Sequence, residues 1–327
     1  TKVGTVPGVF GATFAQENLN SDMTTGFELV LSHRNQISDF NYNLSANVGF
    51  ARTKLKYVER ADATDSRDNW LNNTNNRWRN LLWGYDYAGH FNSYADAWGW
   101  ASYAGTMPSN SGNQYILPGD IKVGDWNEDG VIDENDLHVI GLMEGQTNGF
   151  RDNTHKPLWN FGFTSNMSYK GFDLNFLFQG TAGVWFLNPE KFETALPWSG
   201  QSNGLQRFIN RWHTVDDTAN PFDPNTEWIA GEWFSTRSSN TINYSYNTLQ
   251  NISKVWYLRL KSVELGYTFP KKWFVGTSIQ KLRVYANGFN LLTFTNARDI
   301  DPERPTSGHG YVYPLMKTFT FGLNLTF

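Results

Sequence analysis

The motif with the clearest chemistry is an acidic stretch near the middle of the chain. Residues 125–136 place oxygen-bearing side chains at loop positions 1, 3, 5, 9 and 12, a glycine at position 6 and a hydrophobic residue at position 8. This is the spacing of an EF-hand-type calcium loop. The predicted ligands are Asp125, Asn127, Asp129, the carbonyl of Val131, Asp133 and Asp136.

Two interpretations of this stretch stay open. As a metal site it would hold Ca²⁺, because carboxylate and carbonyl oxygens suit a hard cation and Gly130 permits the sharp turn. Position 12 is an aspartate, whose shorter side chain weakens or reshapes such a site. The alternative is an Asx-rich turn without a metal. The metal would be structural, since it would stiffen a long connection and would not catalyse a reaction.

A set of tryptophans in the two longest predicted connections forms the second candidate site. Flat aromatic faces beside Asn, Asp and Arg suit sugar rings, because they offer apolar contact together with hydrogen-bonding partners. The alternative is that these rings pack the loops into a folded cap or contact a partner protein. The predicted substrate-binding residues are Trp83, Trp98, Trp100, Trp198 and Trp233.

No pattern in the sequence predicts a catalytic site. The chain has 0 Cys, which excludes thiolate nucleophiles, thiolate metal sites and disulfides. Its 6 His lack metal-binding spacing, and neither a Gly-x-Ser-x-Gly elbow nor a phosphate-binding loop occurs. Acidic pairs such as Asp216 with Asp217, or Asp299 with Asp301, have the residue types of a glycosidase acid and base, but nothing in the sequence fixes the distance between their carboxyl groups. We therefore expect that the protein is not an enzyme.

The composition favours a β-rich protein outside the cytoplasm. The 27 Lys+Arg against 31 Asp+Glu give a net charge of −4, so a nucleic-acid surface is not expected. The longest uncharged stretch, residues 97–119, is too rich in Ser, Asn and Gly to form a membrane helix. With 16% aromatic and only 18% charged residues, the chain suits a secreted sandwich or an outer-membrane barrel.

Seven segments alternate between apolar and small polar residues, as strands do. Their polar faces are mostly Asn, Ser, Thr and Gly, which favours a barrel lumen, because Lys, Glu and Arg are common on the wet face of a sandwich. Apolar residues change face near Leu260, which predicts a bulge. The segments lie at about 27–32, 40–50, 159–169, 172–179, 255–269, 281–293 and 318–327.

The predicted connections alternate strictly between short and long. Short ones lie at 33–39, 170–171 and 270–280, and long ones at 51–157, 180–254 and 295–312. A membrane barrel has this alternation, because its short turns lie at one rim and its long loops at the other. The topology of a Greek-key sandwich does not produce it. Seven strands are too few to close a barrel, and lipid leaves an open sheet edge unsatisfied. We therefore expect residues 1–327 to be part of a larger barrel.

Several segments together resemble the C-terminal third of SusC/RagA-type TonB-dependent outer-membrane transporters. No single segment is specific, but their order and approximate spacing match over nearly the whole chain. They are Pro118-Gly119-Asp120, 125–133, 170–174, Gln179-Gly180, 257–261, 265–270, 290–294, Asp301-Pro302-Glu303 and Phe327.

The resemblance implies an all-β fold, an antiparallel transmembrane β-barrel of roughly 22 strands, of which this chain would supply about seven as the C-terminal part. The connections 51–157 and 180–254 would be long extracellular loops, and the C-terminus would be periplasmic. The signal peptide, plug and TonB box of such transporters are expected to be absent from this chain.

The implied function is TonB-dependent import of a nutrient across the bacterial outer membrane. A glycan oligomer is expected as cargo rather than a peptide. The implied partners are a SusD-like lipoprotein lid, outer-membrane lipid, and the TonB complex acting through the absent plug. The alternative is a secreted calcium-binding β-sandwich that binds or hydrolyses glycans.

Overall fold

The structure is a computed structural model. The described residues are 18–60, 62–79, 81–103, 112–142, 157–187, 206–235, 248–250, 252–297, 301–303 and 315–327.

One large antiparallel sheet dominates the described residues. The seven predicted strands are confirmed as β1 (Ser21–Ile37), β2 (Phe40–Tyr57), β10 (Trp159–Tyr169), β11 (Phe172–Leu187), β14 (Ile252–Thr268), β15 (Lys281–Thr295) and β16 (Thr318–Thr326). They lie side by side in that order, and the short β3 (Arg77–Trp78) adds to β2. Each long strand therefore pairs with the long strand before or after it in the chain, as in the wall of an up-and-down barrel.

The smaller elements lie almost entirely in the two longest connections. In their described parts four strand pairs occur: β4 (Leu81–Gly84) with β9 (His138–Leu142), β5 (Tyr87–His90) with β7 (Ile121–Val123), β6 (Ser102–Tyr103) with β8 (Val131–Ile132), and β12 (His213–Thr214) with β13 (Trp228–Ile229). The helices are α1 (Ser66–Asn72) and α2 (Tyr94–Trp98), with 3-10 turns at Gly112–Tyr115, Glu134–Asp136, Gln206–Asn210 and Lys271–Phe274.

None of the helices in the described ranges is both long enough and apolar enough to cross a membrane.

Several strands run further than the sequence pattern predicted. β1 begins at Ser21, β2 continues to Tyr57, and the two remain paired from Ser21 with Tyr57 to Ile37 with Phe40. Arg52, Lys54 and Lys56 hide the strand, because long polar side chains take the positions that are apolar between Phe40 and Phe50. The long connections are accordingly 58–158, 188–251 and 296–317, and the alternation of short and long is confirmed.

The predicted bulge and tight turn are also confirmed. The pairing of β14 with β15 shifts register between Leu260 and Ser262, so the face of β14 changes there. Lys170 and Gly171 form the complete connection between β10 and β11. Short connections therefore share one rim of the sheet, called the short-turn rim below, and the long connections share the opposite rim, the long-loop rim.

The apolar face of the sheet is exposed. On β16, Phe319, Phe321 and Leu323 are 65%, 80% and 64% exposed. Among the described residues no second large sheet packs against this face, since every other sheet has two strands. A sandwich would bury these rings between two layers, so the exposed face supports the barrel and not the sandwich.

Candidate functional site

The long connections fold into a compact body with its own hydrophobic core. We call residues 81–103, 112–142 and 206–235 the cap. A cap can form here because apolar residues from both long connections are buried together, which removes them from water. The core residues are Phe91, Ala97, Tyr103, Ile116, Ile121, Val123, Ile132 and Phe234.

A buried turn at Pro118-Gly119-Asp120 ties the two connections together. Asp120 is completely buried; its carboxylate accepts the backbone N–H of Leu117 at 2.9 Å and the hydroxyl of Ser235 at 2.9 Å. Gly119 has a φ of +85°, and a Cβ there would lie 2.2 Å from Cβ of Trp212. This turn therefore requires glycine and a carboxylate at adjacent positions.

His90 contributes a further contact to the same turn. Burial lowers the pKa of His90, which favours the neutral ring. Its Nδ1 lies 3.1 Å from the carbonyl oxygen of Gly119. Because a carbonyl only accepts, Nδ1 carries the hydrogen and donates it.

The cap is attached to the long-loop rim of the sheet. Leu82 and Ile140 form a buried cluster with Ile252 at the start of β14, and Trp185 of β11 packs against it. Nearby, the N–H of Arg79 donates to the carbonyl of Thr53 on β2 at 2.9 Å. The cap therefore lies over the end of the sheet where the long connections emerge.

Two of the predicted substrate-binding tryptophans keep exposed ring surface. Trp98 is 46% exposed and lies 5.6 Å from the ring of Tyr94. Trp83 is half-buried; Trp70 contacts it edge-on at 5.4 Å, and the guanidinium of Arg77 lies 5.6 Å from its ring. Aromatic rings beside a guanidinium suit a polar ligand with an apolar face.

The other predicted tryptophans serve the packing of the cap or lie outside the described residues. Trp100 donates its indole N–H to the carbonyl of Val123 at 2.9 Å, and the ammonium of Lys122 lies 3.9 Å from its ring. Trp233 is 7% exposed, with Phe208 edge-on at 5.6 Å. Trp198 lies outside the described residues.

Sequence reasoning missed the exposed ring of Trp126 in the acidic loop. Trp126 is 50% exposed and stacks on His138 at 5.2 Å. The only available signal was its position inside the acidic motif, which drew attention to the oxygen ligands and not to the ring.

The acidic loop 125–136 is shaped by hydrogen bonds from its own backbone. Asp125 accepts the N–H of Gly130 at 2.8 Å, and Asp129 accepts that of Val131 at 2.8 Å. Asp136 is completely buried and accepts the N–H groups of Trp126 and Asp133, both at 2.8 Å. Within the described residues, no group of three or more His, Cys, Asp or Glu side chains is arranged so that it could hold a metal ion.

Comparison with known proteins connects this architecture to one group. The TonB-dependent receptor P3 of Formosa agariphila is 27% identical over 98% of this chain, and receptor P26 of the same organism is 25% identical over 99%. No family model matches the chain. The resemblance to a TonB-dependent receptor is confirmed. The chain spans less than a third of these relatives, 30% and 31% of their lengths.

Solved structures support the same fold. The structure of the RagAB peptide transporter matches 98% of this chain with a TM-score of 0.61 at 21% identity, using 31% of that chain. The RagAB peptide importer in the "open-open" state matches with a TM-score of 0.62. This chain therefore has the fold of part of a TonB-dependent barrel transporter, as the sequence predicted.

Two of the segments that carry the receptor resemblance meet at the long-loop rim. Arg259 of β14 is 4% exposed; it donates to Asp301 at 2.7 Å and to Glu303, and its Nε donates to Thr293 at 2.9 Å. Lys261 donates to Glu303 at 2.6 Å. The segment 301–303 is thereby held against the sheet by two cations and two carboxylates.

Two other segments of the receptor resemblance meet near the short-turn rim. Arg283 of β15 donates from Nε to Asp173 of β11 at 3.0 Å and also contacts Glu264 of β14. Gly266 lies between them, and a Cβ there would be 2.4 Å from Arg283 Nη2 and 2.6 Å from Asp173 Oδ2. The absence of a side chain at Gly266 leaves the space in which the guanidinium of Arg283 meets the carboxylate of Asp173.

Proposed function

We propose that the full-length protein is a TonB-dependent importer of the bacterial outer membrane, and that this chain forms part of its barrel and its outer cap. A surface lipoprotein would cover the cap, and the TonB complex would act through a plug domain. The long-loop rim would be extracellular and the short-turn rim periplasmic.

One observation supports this proposal most strongly. The large sheet leaves many large apolar side chains of one face exposed, and among the described residues the folded cap lies at one of its rims. In a membrane barrel such an apolar face lies against lipid. Long loops at a single rim are also typical of transport barrels. The names of the similar proteins, receptors and a peptide transporter, agree with transport and not with catalysis.

Arginine substitutions on the two faces of β11 test the membrane assignment. Phe176 shares a face with Phe163 and Phe178, whose rings lie 5.8 Å from its own. Phe176→Arg should destabilise the barrel by about 2–4 kcal/mol and reduce the amount inserted in the outer membrane. Its matched control is Asn175→Arg on the opposite face, which should be milder.

The measurement is folded barrel in outer-membrane fractions, together with unfolding by denaturant in detergent micelles. Equal effects of the two substitutions would mean that the faces are wrongly assigned. Full solubility of the unmodified protein without detergent would contradict the membrane proposal itself.

We propose that the cargo is a glycan oligomer, bound in part by the exposed aromatic surface of the cap. Trp98→Ala should weaken oligosaccharide binding about three- to tenfold, because one aromatic contact is removed. Titration calorimetry with panels of oligosaccharides and of peptides measures this. Trp273→Ala, at the opposite rim and 61% exposed, is the matched control. Peptide binding without oligosaccharide binding would contradict a glycan cargo.

Calcium binding by loop 125–136 is also proposed. The spacing of oxygen-bearing side chains supports it, and Asp125 and Asp129 accept backbone N–H groups from within the loop. Ca²⁺ should raise resistance of this loop to proteolysis, and Asp129→Ala should abolish the effect, while Asp223→Ala in an exposed turn should not. If the loop took up no calcium at millimolar concentration, the calcium proposal would be wrong and the alternative, an Asx-rich turn without a metal, would stand.

A further inference from the structure

The exposed face of the sheet contains one pronounced apolar groove near the short-turn rim. Its volume is about 730 Å³, which lies in the range of small-molecule sites. It runs over β15, between the larger side chains of β14 and β16. The side chains that form it are Phe172, Leu265, Tyr267, Val284, Ala286, Phe321 and Leu323.

The strand register explains why a groove forms here. Across the sheet, Leu265 lies beside Ala286 and Ala286 beside Phe321. In the next row, Tyr267 lies beside Val284 and Val284 beside Leu323. The central strand thus carries the smaller side chains, and the larger side chains of the two flanking strands form the walls of the groove.

The end of the groove next to the short-turn rim is positively charged. Segment 265–286 has no Asp or Glu, and its turn after Tyr267 carries the exposed Lys271 and Lys272. Within the described part of the chain these lysines make no ion pair, while the nearby carboxylates of Asp173 and Glu264 both contact Arg283. The same turn carries Trp273, an aromatic residue of the kind found at membrane interfaces.

We propose that this groove binds one anionic phospholipid, with an acyl chain along Val284 and Ala286 and the phosphate beside Lys271 and Lys272. The proposal rests on the membrane location proposed above. An apolar groove selects for hydrocarbon, and unpaired lysines at its rim end select for a negative headgroup. A neutral lipid would satisfy only the first requirement.

Native mass spectrometry of the full-length protein in detergent tests this site, with phosphatidylglycerol and phosphatidylcholine of identical acyl chains as probes. Phosphatidylglycerol should bind more tightly. The double variant Lys271→Gln with Lys272→Gln should weaken phosphatidylglycerol about 20-fold and leave phosphatidylcholine unchanged. Lys56→Gln with Lys317→Gln, the same loss of charge on exposed lysines elsewhere, is the matched control and should have no effect.

Filling the groove gives a second, independent variant. Ala286→Phe should weaken both lipids, whereas Ala46→Phe, on the corresponding face of β2, should weaken neither. The heat-shifted band of folded barrel on gels establishes that each variant is folded. Equal affinity for both lipids would overturn the site, and so would equal effects of the variants and their controls. The site would also be overturned if the protein formed a dimer that Ala286→Phe disrupts, while lipid binding persists in that variant. Failure of the protein to enter the outer membrane would instead contradict the proposed function.

Discussion

Replacing Arg259 with alanine should destabilise the long-loop rim by about 3 kcal/mol, at the lower end of the cost of breaking a buried ion pair. Arg259 is 4% exposed and joins Asp301 and Glu303 to β14. Without its guanidinium, the two carboxylates stay close together with one remaining cation, Lys261, which pairs with Glu303. The lower figure applies because both carboxylates keep partial contact with water.

The measurement is hydrogen exchange of residues 301–303 and 255–261 in the full-length protein, with the free energy of unfolding in denaturant. Arg259→Lys should recover only part of the loss, because an ammonium cannot replace the forked contacts of a guanidinium. Arg79→Ala breaks a half-exposed pair with Asp22 at 3.2 Å, and it should cost less than about 1 kcal/mol. If Arg259→Ala matched Arg79→Ala, the segment 301–303 would be held by something other than this network.

The strands were predictable because a sheet in contact with lipid on one face imposes a strict alternation on the sequence. β10 and β16 show this alternation from end to end, and their predicted bounds agree with the structure. The ends of β2 and β11 were not predictable, for two different reasons. At the end of β2, lysine and arginine replace the apolar residues of the outer face. At the end of β11, a register shift at Gly183 interrupts the alternation. The pattern of short and long connections was also predictable, because the length of each connection follows from the positions of the strands that it joins.

The cap was predictable as a location but not as a structure. Its contacts join residues far apart in the chain, such as Asp120 with Ser235, and no local pattern indicates such a partner. Trp100 and Trp233 illustrate the consequence. Their residue type suited a ligand surface, yet one donates its indole N–H inside the cap and the other is nearly buried. Composition cannot separate rings that pack a loop from rings that bind a ligand.

Replacing Asp120 with alanine should destabilise the cap by about 2–6 kcal/mol. The substitution leaves the N–H of Leu117 and the hydroxyl of Ser235 without their acceptor, and each unsatisfied buried donor costs about 1–3 kcal/mol. Because Ser235 belongs to the second long connection, that connection should lose protection together with residues 117–123. The large sheet should be unaffected, since its strands pair independently of this turn.

Limited proteolysis and hydrogen exchange of the full-length protein measure this outcome. Asp120→Asn keeps one carbonyl acceptor and should retain about half of the stability that the alanine variant loses. The matched control is Asp216→Ala, because Asp216 also accepts two hydrogen bonds, from the N–H and the hydroxyl of Thr218, but on an exposed turn. Water replaces those bonds, so the control should cost less than about 1 kcal/mol. A cap that stays protected in Asp120→Ala would show that its apolar core alone holds the two long connections together.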